Sequence, residues 1–408
     1  MNQSESAMDM KMHINMKYLL TILFVLLELI GMIGNILVII SVRVDSRMKR
    51  SLTNRLIVHV ACCDLLILLF NIPDLIQFVS SINGNWMLNQ LSCKLIRSIL
   101  VLAQYASVLT MCAVTIERFI GIVYPLRSRF LREEKHVREI TLFVWLFSLI
   151  CASPNFVYLH VRLISSTRRV CLLEYSEDLN EHQRIYIIYK SIESTIFYFI
   201  PLLIQLYCYI RIASQLFHID QRLYHSTNLR NKSGIQRDEI DDEDDDDEQI
   251  TGRLTINESP LNSTTNGFNW NFPLTKNSPM KRSIRSNTLK SRRNVIKMLV
   301  VVVLIYFISF SPQVLVFLLF DTNFIRSIPY FIQTHYFIAF TMLLVTISSA
   351  TNPIVYVIFS SKFRQSFNQI LRSIFCCTKP NFIPQTNQTL SIPIRQKNEQ
   401  KISSKIRS

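Results

Sequence analysis

Seven blocks of twenty or more mostly apolar residues, separated by polar stretches, constrain this chain more than any other feature. They run from Tyr18 to Val42, Thr53 to Phe78, Leu91 to Val123, Arg138 to Leu159, Ile185 to Leu216, Val295 to Phe320 and Tyr330 to Phe359. At about 1.5 Å per residue each can cross about 30 Å of hydrocarbon, and the third must tilt or protrude. Inside lipid every backbone amide has to be paired within its own segment, so helix is the only form open to such blocks. The expected fold is an all-α membrane protein, a seven-transmembrane helix bundle. Composition agrees: 49% of residues are hydrophobic and 18% charged, less charge than soluble domains carry.

The loops give an orientation. Arg43–Arg55 and Arg127–Arg138 each carry five Lys or Arg, whereas Val79–Ser92 carries none and Asp321–Pro329 only Arg326. Basic residues are held on the cytoplasmic side, which places the N-terminus outside and, after seven crossings, the C-terminus inside. In Val161–Arg184 four arginines are offset by Glu174, Glu177, Asp178 and Glu181. The formal charge of +15 is thereby accounted for by loop flanks, and a nucleic-acid partner is excluded. The first block is too long for a signal-peptide core and is expected to act as its own insertion signal. Asn2-Gln3-Ser4 is then a glycosylation sequon on the outer side, while those at Asn231, Asn262 and Asn387 face inward as chance matches.

The resulting division is an outer N-terminus (1–17), five spans with loops (18–216), a third inner loop (217–294), two spans (295–359), an amphipathic segment (360–377) and an inner tail (378–408). The third inner loop holds ten acids in the eleven residues Asp238–Glu248. Such a stretch buries too little apolar surface to offset its chain entropy, so disorder is expected there. Its basic end, with Lys281, Arg282, Arg285, Lys290, Arg292 and Arg293, is expected to prolong the sixth helix. In the amphipathic segment Phe363, Phe367, Ile370, Leu371 and Ile374 fall on one helical face, as in a short eighth helix lying in the membrane interface. Cys376 and Cys377 at its end read as a palmitoylation pair or as plain thiols. Cys62, Cys63, Cys112, Cys151 and Cys208 lie within apolar runs and read as packing residues.

Membrane helices exclude polar groups unless those groups have a task. An aspartate near mid-bilayer costs about 2.5–3.5 kcal/mol on insertion scales. Asp64 is central in the second block, Asn35 in the first, Ser107 in the third, and Ser348, Ser349 and Asn352 in the seventh. Only convergence inside a bundle would satisfy them, either as a hydrogen-bond knot that fixes packing or as an ion or switch site.

Each block also carries a recognisable signature. These are Gly34-Asn35 with Val38; Ala61 then Asp64; Cys93 and, 25 residues on, Arg118 in Glu117-Arg118-Phe119; and Trp145 with Pro154. Pro201 with Tyr209, Pro312 in Phe310-Ser311-Pro312, and Asn352-Pro353-Ile354-Val355-Tyr356 complete the set. In this order and spacing, across about residues 18 to 377, the chain resembles the rhodopsin-like G-protein-coupled receptors.

That resemblance implies a Cys93–Cys171 disulfide on the outer side rather than two free thiols. It implies an activation switch in which Arg118 leaves Glu117 and turns toward Tyr209 and Tyr356. Phe119, Tyr306, Phe310, Pro312, Asn352 and Pro353 belong to the same machinery. Pro201, Pro312 and Pro353 each remove a mid-helix hydrogen bond and supply kinks. Asp64, Ser107, Ser348, Ser349 and Asn352 would line a pocket for an allosteric sodium ion; no other metal or cofactor is implied. Heterotrimeric G proteins, receptor kinases, arrestin and membrane lipid would be the partners, at the plasma membrane. The sequence departs from the family pattern at Tyr306, Phe310 and Phe119, and Arg292 stands where an acid would form an ionic lock with Arg118.

A retinal-binding lysine is missing, since Thr346 occupies its place, and Leu100 stands where amine receptors have an aspartate. The outer half instead offers Asp74, Gln77, Gln104, Glu193 and Gln313 with Tyr186, Tyr189, Tyr198 and Phe317. If Asp74 and Glu193 point inward, they suit a cationic ligand such as a basic or amidated peptide; otherwise they face loops or water. With Trp86 in the first outer loop, the chain is similar to neuropeptide receptors of the FMRFamide and thyrotropin-releasing-hormone kind. A receptor for a non-peptide small molecule is the alternative. A transporter would show repeats and broken helices, for which seven glycines leave little material. No enzyme is expected, because the polar groups make no nucleophile–base pair and no phosphate loop.

Overall fold

A computed structural model of the chain describes residues 3–80, 85–125, 134–165, 168–238, 279–321 and 335–376. Seven helices among them are long and apolar enough to cross a membrane: Lys17–Val44, Leu52–Gln77, Gln90–Val123, Lys135–Tyr158, Leu179–Ile219, Arg293–Leu319 and Ala339–Phe359. The protein is a multi-pass membrane protein built as a helix bundle. Its third helix is the most enclosed and its fourth the least. Leu142, Phe143, Leu146, Leu149 and Ile150 of the fourth stand exposed, an apolar surface of the kind that lipid covers.

Close approach of the first and seventh helices depends on two glycines. A Cβ at Gly31 would lie 2.7 Å from Leu68 and 3.0 Å from the Ala350 backbone, and one at Gly34 would lie 2.8 Å from Pro353. Any larger residue there pushes the helices apart. Prolines shape the others. Pro73, Pro154, Pro312 and Pro353 all sit inside helices. In the fifth, a wide turn at Thr195–Phe199 precedes Pro201, and the Ile200 N–H reaches back five residues to Thr195. Such widening accommodates the bond that proline cannot donate.

Several boundaries differ from the sequence reading. The first helix begins at Gln3 rather than Tyr18, and the fourth at Glu134 rather than Arg138. The fifth begins at Leu179, and the seventh at His335, with 330–334 outside the described residues. In the stretch 217–294, expected to be disordered, the fifth helix instead continues to Asp238, while the sixth starts at Pro279, its basic end prolonging the span as expected. Extending a helix already nucleated and packed in the bundle costs far less than starting one in water. Residues 239–278 lie outside the described residues.

An unforeseen hairpin joins the fourth and fifth helices. Strands β1 (Leu159–Ser165) and β2 (Arg168–Leu173) pair antiparallel, with Val161 opposite Cys171. A disulfide links Cys171 to Cys93 at the start of the third helix, Cα to Cα 5.8 Å. Neighbouring loops anchor the hairpin further. The Trp86 N–H donates to the Arg169 carbonyl (2.8 Å), and the Gln90 amide bridges the Leu159 carbonyl (2.9 Å) and the Val161 N–H (2.7 Å). Arg162 donates to Glu174 at 2.6 Å and holds that carboxyl below its ordinary range.

The amphipathic helix forms as expected, over Ser361–Cys376. Part of its apolar face, however, is covered by protein rather than lipid. Phe363, 2% exposed, stacks on Tyr356 at 5.5 Å, and Phe367 and Ile370 are buried as well. Leu371 is left exposed. Periodicity marks an apolar face without saying what covers it.

Candidate functional site

Three polar zones lie along the bundle axis, and the first is a cavity at the hairpin end. It encloses about 330 Å³ between the third, fifth, sixth and seventh helices. Gln104, Glu193, Gln313 and Phe317, all expected from the sequence, line it together with Tyr186 and Tyr198. Tyr306 and Phe310 also line it, their rings 4.5 Å apart, so residues expected to switch border the cavity itself. Tyr198 joins them through Phe307 (5.3 Å between rings) and through its hydroxyl, 2.7 Å from Ser311 beside Pro312.

Asp74 is placed elsewhere, which corrects its assignment to this cavity. Its carboxylate is buried against Arg97, 3.0 Å away, and the Arg97 guanidinium lies over Trp86. An aspartate so deep among apolar side chains is tolerable only with such a partner. Gln77 accepts the Met87 N–H (3.1 Å), and Tyr189 accepts the Asn155 amide (3.0 Å). Glu193 does face the cavity, yet it arrives paired: Lys190, one helical turn before it, lies 2.7 Å away. That spacing is legible in the sequence, since residues three apart share a helix face.

The second zone is the mid-bundle cluster. The Asn352 amide donates to Asp64 at 2.7 Å. The Asn35 amide donates to the Gly31 carbonyl (2.9 Å) and, across to the seventh helix, the Ser349 carbonyl (3.1 Å). Ser107, Ser348 and Ser349 are buried in the same bundle interior. Asn71 adds a bond to Thr346 at 2.8 Å. Beyond the cluster comes an apolar layer of Val60, Met111, Val114, Leu299 and Val302 around Tyr209 and Tyr356, with a void of only about 10 Å³. The Tyr209 hydroxyl is bonded to Thr115 at 3.1 Å.

At the far end, Arg118 pairs with Glu117 at 3.1 Å, and the Thr53 hydroxyl donates to the same carboxylate oxygen at 2.6 Å. Both residues line an open cleft of about 470 Å³ shared with Asn54, Asn294, Lys362 and Arg364. The sixth helix lines this cleft with Asn294, Val295, Ile296 and Met298; the Arg292 side chain lies outside the described residues. Phe119 turns aside, edge-on to Tyr124 at 5.8 Å. Asn2 and Cys377 fall outside the described residues, as does the side chain of Cys376.

One buried group was missed in the sequence. Glu28 of the first helix is 4% exposed, and the Asn71 side chain is the polar group its carboxyl meets. One neutral amide offsets little of the cost of burying a carboxyl. Glu28→Leu is therefore expected to raise the thermal unfolding temperature of the purified protein; a clear fall would mean that the contact with Asn71 stabilises the fold.

A seven-helix bundle with a disulfide-fastened hairpin and a cavity at one end and a paired arginine at the other defines a class of membrane receptor. Residues 34–356 match the family described as "7 transmembrane receptor (rhodopsin family)", and the chain belongs to that family. It is a receptor rather than an enzyme. The chain is 28% identical over 356 residues to "Neuropeptide receptor 15" of Caenorhabditis elegans, covering 85% of this chain and 88% of that protein. It is 27% identical over 381 residues to the "Thyrotropin-releasing hormone receptor" of Mus musculus, covering 93% and 85%. It is 25% identical over 382 residues to the "QRFP-like peptide receptor" of Branchiostoma floridae, covering 92% and 82%.

Proposed function

We propose that this chain is a plasma-membrane receptor for an extracellular peptide, with the hairpin end and N-terminus outside and the Arg118 end and C-terminus inside. The observation that carries the reading is the continuity of one helix. Tyr306 and Phe310 of the sixth border the outer cavity, Pro312 kinks it, and Asn294 at its other end lines the cleft with Arg118. A ligand that binds the cavity better in one arrangement of that helix shifts the population of the cleft. The names of two of the relatives, a neuropeptide receptor and a QRFP-like peptide receptor, support a peptide as that ligand.

In this reading the Glu117–Arg118 pair belongs to the resting state, and a heterotrimeric G protein enters when Arg118 turns toward Tyr209 and Tyr356. Asp64, with Asn352 and the hydroxyls of Ser107, Ser348 and Ser349, would hold a sodium ion. One carboxylate among neutral oxygens suits a hard monovalent cation, which would favour the resting arrangement while bound. Ser and Thr of the inner loop and tail would be kinase targets that recruit arrestin, Cys376 and Cys377 would carry lipid, and Asn2 glycan.

The test needs no identified ligand. Glu117→Gln, reconstituted with a heterotrimeric G protein in lipid nanodiscs, is expected to raise ligand-free nucleotide exchange several-fold. Weakening a partly exposed charge pair is worth about 1 kcal/mol, near a fivefold shift. An unchanged basal rate would remove the pair from the resting state.

A further inference from the structure

The turn that leads from the hairpin into the fifth helix hangs on a histidine. The Tyr175 backbone N–H donates to Nδ1 of His182 at 3.2 Å, which joins the segment after β2 to the first turns of that helix. A ring nitrogen accepts only when it carries no proton, so this bond requires neutral His182 with its proton on Nε2. The other ties of the turn use carboxylates: Asp178 accepts the Asn180 N–H (3.1 Å), and Glu181 accepts from the Ser176 hydroxyl (2.6 Å). Histidine is the side chain whose charge ordinarily changes between about pH 5 and 8.

The same imidazole is the middle rung of an aromatic ladder. Its ring lies 6.0 Å from Tyr175 and 6.1 Å from Tyr186. Tyr175 packs on Tyr158 (4.9 Å) and Tyr189 (5.7 Å), and Tyr186 meets Phe317 edge-on at 6.4 Å. Tyr186 and Phe317 line the cavity, so a change at His182 reaches its wall through two ring contacts. Charged groups come to this region from several elements. The hairpin and its exit bring His160, Arg162 and Glu174, the turn brings Glu177 and Asp178, and the helix itself brings Glu181 and, further along, Lys190 and Glu193. Glu174 is the carboxylate that feels both His160 and His182, and it already accepts from Arg162.

We propose that His182 is a pH-sensitive latch between the hairpin and the wall of the cavity. Protonated at Nδ1, it sets N–H against N–H, lets go of Tyr175 and turns toward the Glu174 carboxylate, where it competes with Arg162. The turn is then released from the fifth helix, and Tyr186 loses the rung that holds its ring against Phe317. Neutral medium keeps the latch closed, and acid opens it. That the proton arrives from the extracellular side rests on the orientation proposed above.

Hydrogen exchange on the full chain in nanodiscs, corrected for the intrinsic pH dependence of amide exchange, tests this at about pH 7.5 and about pH 5.5, either side of the ordinary histidine midpoint. Protection of the Tyr175 amide is expected to fall roughly fivefold in acid, the worth of one net hydrogen bond. A 3-fluorotyrosine resonance of Tyr186, assigned by its loss in Tyr186→Phe, should move over the same range. His182→Gln can still accept from Tyr175 but does not titrate, and should hold both readings constant. His182→Phe keeps a ring without an acceptor, and should leave the Tyr175 amide unprotected at both pH values. His160→Gln should behave as the wild type. Constant Tyr175 protection in the wild type, or an acid loss that persists in His182→Gln, would overturn the proposal. So would a moving Tyr186 resonance with Tyr175 still protected, since His182 would then act through its charge alone. Labelling of Asn180→Cys by an impermeant reagent only in permeabilised cells would place the latch on the inner side, sinking the receptor orientation and leaving the latch itself in place.

Discussion

With Cys93 and Cys171 both replaced by alanine, the protein is expected to lose its hairpin anchorage and most of its folded yield at physiological temperature. The bond closes a loop of 78 residues in sequence separation. In the chain-entropy model such a closure removes freedom from the unfolded chain worth about 4 kcal/mol, a large share of the ordinary stability of a domain. The native state loses as well, because Cys93 starts the third helix and Cys171 pairs across from Val161 in the hairpin. Cell-surface expression and thermal unfolding of the purified double variant check this. The single variants should do no better, since each leaves a thiol where the bond was. Expression and unfolding temperature equal to the wild type would show that the bonds from Trp86, Asn85 and Gln90 hold the hairpin unaided.

The second large effect is expected at the opposite end. Arg118→Ala should lower G-protein nucleotide exchange roughly thirtyfold or more, while the thermal stability of the purified chain changes little. Truncating one member of a desolvated charged contact costs about 2–5 kcal/mol, and at the resting cleft Arg118 contributes only a partly exposed pair to Glu117. The asymmetry between a large functional loss and a small structural one separates an arginine used on the G protein from one used on the fold. Exchange that survives Arg118→Ala would remove it from the transducing surface.

Much of this architecture was legible from residues 18 to 359, because a membrane allows so few solutions. A span must be about twenty apolar residues of helix, and a polar residue inside it must find company. Asp64 and Asn352, 288 residues apart, were therefore expected to converge, and they meet at 2.7 Å. What escaped the sequence is of another kind. The Asp74–Arg97 pair joins two helices, and no local pattern says that an aspartate near the hairpin end of the second helix meets an arginine of the third rather than a ligand. The hairpin at Leu159–Leu173 is held by a disulfide and by contacts from distant loops, so its strands carry little signal of their own. The prolonged fifth helix is too polar to betray itself by periodicity; it grows from a span already packed. Lys190 is the instructive miss. Its place three residues before Glu193 was readable, and attention to the acid alone turned a paired site into an apparently anionic one.

All of this requires that the cavity and the Arg118 cleft open on opposite sides of one membrane. Substituted-cysteine labelling with a membrane-impermeant maleimide tests that directly, using exposed positions at both ends: Met87 and Asn180 by the hairpin, Lys49 and Arg364 by the cleft. Intact cells should be labelled at Met87→Cys and Asn180→Cys and stay unlabelled at Lys49→Cys and Arg364→Cys until permeabilised. Labelling of all four in intact cells, or of the second pair alone, would contradict the account.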